Sequence, residues 1–324
     1  MIRAAIVGLG RWGQVLVDSV QGKSEKIQFT RAITRTPAKA EPFARDRRLH
    51  LGNHLEQALT DPAIDAVVLA TPHSLHARQI AQASAAGKHV FVEKPFTLTK
   101  SSAQEAVQAA QAAGIVLALG HNRRFSPPVK ELQARLDSGQ LGVIMHAETN
   151  YSGPGAFRYQ QGMWRADKLE SPAGGMAGMG IHMVDGLIGL FGPIRQVQAL
   201  SHRRVLNVDI DDTTAALLRF RNGATGYLGT IAATSPEWRM QVFGSKGWIE
   251  LRDDSHLQAR MLDSEPETID FGRFDKERAE LEAFASAIRH EAPYPLPLDQ
   301  AIHGIAVFEA IAHSASTGRP VELE

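Results

Sequence analysis

The sequence predicts an α/β chain in two parts: a doubly wound parallel sheet over residues 1–122, then an α+β domain over 123–324 on a mostly antiparallel sheet. Three observations carry that expectation. The chain has 324 residues, more than the ~250–300 at which single hydrophobic cores stop growing, so two domains are expected. Short β-branched runs alternate with helical segments up to residue 122, the pattern of a parallel sheet buried on both faces. After that point runs of strands precede runs of helices, which is the order of an α+β domain.

The elements follow in sequence. Residues 2–7 are an apolar run ending at Gly8, and after a glycine-containing turn residues 14–21 have helical spacing. Residues 27–34 read as a second strand, and Pro37 stands at the first turn of a helix over 38–45. Asp65-Ala-Val-Val-Leu-Ala70 closes on Thr71-Pro72, and an Ala-rich helix over 75–86 stops at Gly87. Residues 89–93 are a strand, 101–113 a helix ended by Gly114, and 115–120 a strand. Beyond 122 come a helix over 129–138, a strand over 142–151, and an aperiodic segment over 152–180 rich in Gly, aromatics and Arg. A segment that long inside a domain marks function more often than linkage. Strands over 213–220 and 224–231 flank Asn222-Gly223, read as two positive-φ residues at a hairpin turn. A second hairpin joins 240–243 to 248–251, and helices return over 276–289 and 299–316.

Composition removes several kinds of chemistry. Lys plus Arg and Asp plus Glu are equal at 35 each, so no bulk field draws nucleic acid or an acidic membrane. Hydrophobic residues make up 44% and charged ones 22%, a folding composition. With no cysteine there is no disulfide framework, thiolate zinc site, iron–sulfur cluster or cysteine nucleophile. Glycines interrupt the first apolar run after a few residues and no later run approaches ~18, so a cytoplasmic protein is expected. No G-x-S-x-G or P-loop pattern occurs. His50 and His54 lack the Glu of H-E-x-x-H and lie beside Gly52, so a solvated loop is favoured and no metal site is expected.

Gly8-Leu9-Gly10-Arg11-Trp12-Gly13 matches G-x-G-x-x-G between a strand and a helix, the context that gives the pattern meaning. The first Gly permits a tight turn, the second lets the backbone approach a pyrophosphate, and the third allows close packing. Roughly 20 residues on, where an acid would hold the ribose hydroxyl of NAD, stand Thr34 and Arg35. Arginine offers charge-assisted donors to a 2′-phosphate, so NADP is favoured over NAD.

Further segments carry a resemblance. Glu93-Lys94-Pro95 follows a strand; Thr71-Pro72 precedes His73 and His76; Asn122-Arg123-Arg124-Phe125 follows the 115–120 strand; Trp164-Arg165 leads to Gly174-Gly175 and His182-x-x-Asp185. In this order they resemble the glucose–fructose oxidoreductase / inositol dehydrogenase / rhizopine-catabolism (Gfo/Idh/MocA) family along essentially the whole chain. The resemblance implies a Rossmann domain, then an α+β domain with a large, mostly antiparallel open sheet that often serves oligomerisation. A homodimer or homotetramer is the corresponding expectation, with the last helices able to pack back on the first domain. It also implies an NAD(P)-dependent dehydrogenase or reductase of a small hydroxy or carbonyl compound such as a sugar or polyol. Lys94 resembles the family lysine near nicotinamide and substrate, and His182 its catalytic histidine. Thr71, Pro72, His73, His76, Glu93, Pro95, Asn122, Arg124, Trp164 and Arg165 match positions lining the cofactor groove.

The chemistry of alcohol oxidation fits those roles. Hydride loss from carbon needs a base near working pH and a positive charge for alkoxide character, which His182 and Lys94 would supply. Asp185 lies three residues past His182, so on a helix it shares a face with it and is read as orienting the ring. Arg123, Tyr151, Arg158, Tyr159 and Gln160 are candidate substrate contacts. One departure stands out: the family signature commonly has Asp four residues before the histidine, where this chain has Gly178. Two other readings stay open. One is redox-neutral chemistry on a retained dinucleotide; the other is a dinucleotide sensor without catalysis.

Overall fold

Six short apolar segments of the first part pair side by side in the computed structural model, which describes all 324 residues. They are β1 (Ile2–Val7), β2 (Ile27–Ile33), β3 (His50–Gly52), β4 (Ala66–Leu69), β5 (His89–Glu93) and β6 (Leu117–Gly120), parallel throughout in the order β3-β2-β1-β4-β5-β6. Every residue of β4 and β6 is buried, because α1 (Arg11–Val20), α2 (Pro37–Asp46), α3 (Glu56–Leu59), α4 (His76–Ala85) and α5 (Lys100–Ala112) supply the crossovers between strands. The strand order reverses direction between β1 and β4. In doubly wound sheets ligands bind at that point, outside the carboxyl ends of the strands.

The second sheet has nine strands. These are β7 (Ile144–Ser152), β8 (Ile194–His202), β9 (Thr213–Phe220), β10 (Thr225–Ile231), β11 (Glu237–Gly244), β12 (Gly247–Leu251), β13 (His256–Met261), β14 (Glu267–Asp270) and β15 (Val321–Glu322). Their order is β14-β13-β12-β11-β7-β10-β9-β8-β15, antiparallel except where β7 meets β10. One face carries the core: Ala199, Leu218, Leu228, Val242 and Ile249 pack under Ile181, Val184 and Ile188 of α7 (Ile181–Phe191). Leu132 of α6 (Pro127–Asp137) joins the same cluster.

The β9–β10 turn corrects one expectation. Only Gly223 has positive φ, at +93°, while Asn222 stays out of the left-handed region. The Asn222 side chain instead accepts from the Ala224 amide at 3.0 Å and donates to the Phe191 carbonyl at 3.1 Å. This is the longer hairpin loop with glycine at its single left-handed position.

Two helices close the chain, α8 (Lys276–Ile288) and α9 (Leu298–Thr317), and they part company. Chain contacts divide the protein into one unit of 1–97, 101–122 and 275–298, and another of 98–100, 123–274 and 299–324. Residues 123–324 are therefore not one unit. Leu281, Phe284 and Ala285 of α8 are buried in the first unit's core with Ile27, Phe29 and Phe91, and Phe284 meets the Phe91 ring at 5.8 Å. Val307, Phe308 and Ile311 of α9 join the second unit's core.

Local pattern missed β3, α3, α7, β8, β13, β14 and β15. The first two span only three and four residues. Helix α7 carries Gly186 and Gly189, which blur its period, and β14 is almost wholly polar. The 152–180 segment contains short 3₁₀ turns at Gly155–Arg158 and Trp164–Ala166, and a π-helical turn, Met176–Gly180, that runs directly into α7. No helix is long and apolar enough to cross a membrane.

Candidate active site

The glycine turn after β1 is built as its spacing requires. Gly8 has φ +97°, and a Cβ there would overlap the Ala70 carbonyl oxygen. A Cβ on Gly13 would overlap the Gly8 carbonyl oxygen, so the first turn of α1 can close on the strand only with glycine. Gly10 differs, since nothing lies within 4 Å of its Cβ position. It is also the N-cap of α1 and leaves the first amides, including those of Arg11 and Trp12, without a side-chain cap. A bare backbone face at a helix N-terminus fits a pyrophosphate. At the end of β2, Thr34 is half-buried and Arg35 exposed, just before the N-terminus of α2, where Lys39 is also exposed.

The turns after β4 and β5 are tied together. His76 is fully buried, with its ring nitrogens 3.0 Å from the Pro95 carbonyl oxygen and 3.1 Å from that of Thr71. It straps the two turns from beneath. The Thr71 hydroxyl donates to Gln79 at 2.6 Å, which holds the half-buried Pro72 turn, and the buried His73 ring meets that of His76 edgewise at 6.0 Å.

Glu93 and Lys94 sit at the carboxyl end of β5. Glu93 is only 5% exposed, and a Cβ on Gly120 would come within 2.8 Å of its Oε1, so glycine on β6 makes room for the carboxyl. Burial pushes the Glu93 carboxyl up to about 7. The Lys94 ammonium opposes that rise, as do the Trp12 indole, which faces the carboxyl outside hydrogen-bond geometry, and the Lys94 amide, which donates to Oε2 at 3.3 Å. Lys94 itself is half-buried. Asn122, beyond β6, donates to Glu277 of α8 at 2.8 Å.

In the second unit, His182 and Asp185 stand in the first turns of α7, both buried. Arg124 Nε donates to both Asp185 oxygens, at 3.0 and 2.9 Å, while Nη2 donates to Gln300 at 2.9 Å. Arg124, expected at the cofactor groove, thus has its guanidinium committed to anchoring α7. Arg123, expected at the substrate, is likewise engaged within the protein. Its guanidinium lies between the Tyr151 and Trp238 rings, 4.7 Å from each centroid, and pairs with Asp254. Tyr151 in turn packs against the His182 ring at 5.9 Å, so Arg123 braces the ring that braces the histidine.

The other candidates lie in the irregular segment. Arg158 and Gln160 are exposed, Tyr159 packs on a small apolar cluster with Leu206 and Ile210, and Arg165 stacks on Trp164 at 4.0 Å. Gly178 is exposed in the turn before α7, and a Cβ there would meet nothing within 4 Å. Sequence reasoning missed Trp238, Asp254 and Gln300, which lie in other elements from the groups they hold. It also missed Glu280, a charged residue on the same helix face as Phe284 and four positions before it. No three His, Cys, Asp or Glu residues stand close enough together to hold a metal ion.

Comparison with known proteins agrees with these features. Residues 2–121 match the oxidoreductase family with an NAD-binding Rossmann fold, and 129–250 match the GFO/IDH/MocA C-terminal domain. A scyllo-inositol 2-dehydrogenase (NAD(+)) of Bacillus subtilis (strain 168) is 29% identical, over 100% of this chain and 96% of its own. A scyllo-inositol 2-dehydrogenase (NADP(+)) of the same organism is 26% identical, again over 100% and 96%. A crystal structure of an oxidoreductase from Desulfitobacterium hafniense superposes with a TM-score of 0.92 at 27% identity, over 99% of this chain and 97% of that one. With both family domains matched in order, this chain belongs to the Gfo/Idh/MocA family of NAD(P)-dependent oxidoreductases.

Proposed function

We propose that the protein oxidises a secondary alcohol of a cyclic polyol or sugar-like compound, or reduces the corresponding ketone, with NADP favoured over NAD. The observation that carries this reading is a glycine turn shaped for a dinucleotide, with Lys94 at the carboxyl end of β5 in the same sheet. The bound dinucleotide supplies a hydride acceptor or donor; the chain supplies the proton chemistry. Lys94 offers an ammonium to stabilise alkoxide character, and His182 accepts or returns the hydroxyl proton. Asp185, fixed by Arg124, and Tyr151, fixed by Arg123, hold the His182 segment rigid. Exposed Arg35 beside Lys39 suits a 2′-phosphate, which supports the NADP preference. The full-length likeness to scyllo-inositol dehydrogenases supports the polyol class.

The test is Lys94→Met, assayed on scyllo-inositol and a polyol and sugar panel with each cofactor. The expected result is a fall of about 10²–10⁴ in kcat/KM with cofactor Kd unchanged. Retained turnover would refute the role of Lys94. We also propose a homo-oligomer formed through the uncovered face of the nine-stranded sheet, where Leu200 and Leu217 are 62% and 58% exposed on adjacent strands.

A further inference from the structure

One buried titratable group has no task in the chemistry above. Glu280 is 0% exposed, and neither carboxyl oxygen has a hydrogen-bond partner in the protein. Helix and strand periods place it. Phe284 packs on Phe91, and Glu280 is one turn earlier on the same face of α8, while Glu93 is two residues further along the same face of β5. One turn rises about 5.4 Å and two strand residues about 6.6 Å, so the two steps nearly match. Their directions also agree: Glu277, in the first turn of α8, accepts from Asn122 beyond the carboxyl end of β6. Glu280 therefore faces the Glu93 end of the sheet.

Two carboxyls in one dry place do not both ionise at neutral pH. Burial and the neighbouring Glu93 both push the Glu280 carboxyl well above its usual range. The charges acting on it are Glu93 and Lys94 from β5 and its exit, and Glu277 and Lys276 from α8 itself. Helix α1 and strand β2 also pack on α8, but Asp18 is paired with Arg47, Arg31 with Asp61, and Arg11 is exposed.

We infer that Glu280 is a positioning residue that sets the proton affinity of Lys94 through the carboxyl pair it forms with Glu93. While Glu280 holds its proton, the pair presents the Lys94 ammonium with one negative charge at most, that of Glu93. As pH rises and Glu280 ionises, the second charge of the pair keeps the ammonium protonated to higher pH. The importance of this for catalysis rests on the role proposed for Lys94; the charge coupling itself does not.

The experiment reads Lys94 directly. Full-length protein labelled with [ε-¹³C]lysine is titrated by NMR, with the Lys94 resonance assigned by its loss in Lys94→Met. In Glu280→Gln, which keeps the shape but cannot ionise, the Lys94 midpoint should move to lower pH by about one unit. One unit is about 1.4 kcal/mol, the scale of a single added charge acting through an effective dielectric of about 20. Coincident midpoints would overturn the inference, because a merely structural Glu280 would change stability and leave them in place. Infrared spectra of the unmutated protein give a second check that needs no folded variant. A protonated-carboxyl stretch must persist above pH 7, where the Glu93 carboxyl is ionising, and its absence would equally overturn the inference. Activity retained by Lys94→Met would strike at the proposed function while leaving both measurements valid.

Discussion

Replacing Arg124 by Met should cost about 3 kcal/mol of stability in the second unit, and the cost should come from Asp185 rather than from the arginine. The side chains of Arg124 and Asp185 are 14% and 9% exposed, and Nε reaches both carboxylate oxygens at 3.0 and 2.9 Å. Removing one partner of a buried ion pair strands the other charge, typically at ~3–5 kcal/mol. The lower end applies here, because the residual exposure lets some water reach the carboxylate. The guanidinium also lies over Gly189, whose Cβ position is 3.3 Å from it, so methionine keeps much of the packing against α7. Adding Asp185→Asn removes the stranded charge, and the double variant should recover most of the loss, giving a coupling of about 2–3 kcal/mol. Denaturant unfolding followed by tryptophan fluorescence is a suitable assay, since Trp164, Trp238 and Trp248 all belong to the second unit. Additivity of the two single variants within ~0.5 kcal/mol would refute the pairing as the reason Arg124 is there.

Other outcomes follow from the same geometry. Arg35→Asp should move the ratio of kcat/KM values for NADP and NAD toward NAD by about 10- to 100-fold, the worth of one charge-assisted hydrogen bond; an unmoved ratio would remove Arg35 from the 2′-phosphate. Gly178→Asp has open space for its side chain. It should fold normally and raise kcat/KM on polyols by roughly tenfold or more if the new carboxylate binds a substrate hydroxyl, and a loss of activity would contradict that role. Leu217→Lys, on the uncovered face of the nine-stranded sheet, should lower the solution mass seen by light scattering; an unchanged oligomer would exclude that face, and a wild-type monomer would exclude the assembly.

The amino-terminal half was legible because its signals are local. A glycine turn between a strand and a helix depends on backbone sterics over six residues, and Gly8 and Gly13 meet the clashes that their spacing foretells. Apolar runs such as 66–69 and 90–92 mark buried strands by composition alone, although Phe91 is covered in part by Phe284 of α8. Of the strands that escaped notice, β3 and β15 are short and β14 is polar, and such strands pair only because a neighbour presents its edge, as β15 does along β8.

Charged and aromatic groups in the site divide the same way. The family resemblance carried by residue order and spacing singled out Lys94, His182 and Arg124, with Asp185 and Arg123 as their sequence neighbours. What each side chain touches was decided only when distant elements stacked: Arg124 met Asp185 across 61 positions, and Arg123 entered between Tyr151 and Trp238. Glu280 shows the limit most clearly. A glutamate on an amphipathic helix has the same local propensity in water or in a core, so its burial opposite Glu93 depends on α8 crossing back to the first unit. Periodicity and backbone sterics act within a few residues and are written in the sequence; the partners of a polar side chain, and whether water reaches it, belong to the packed chain as a whole.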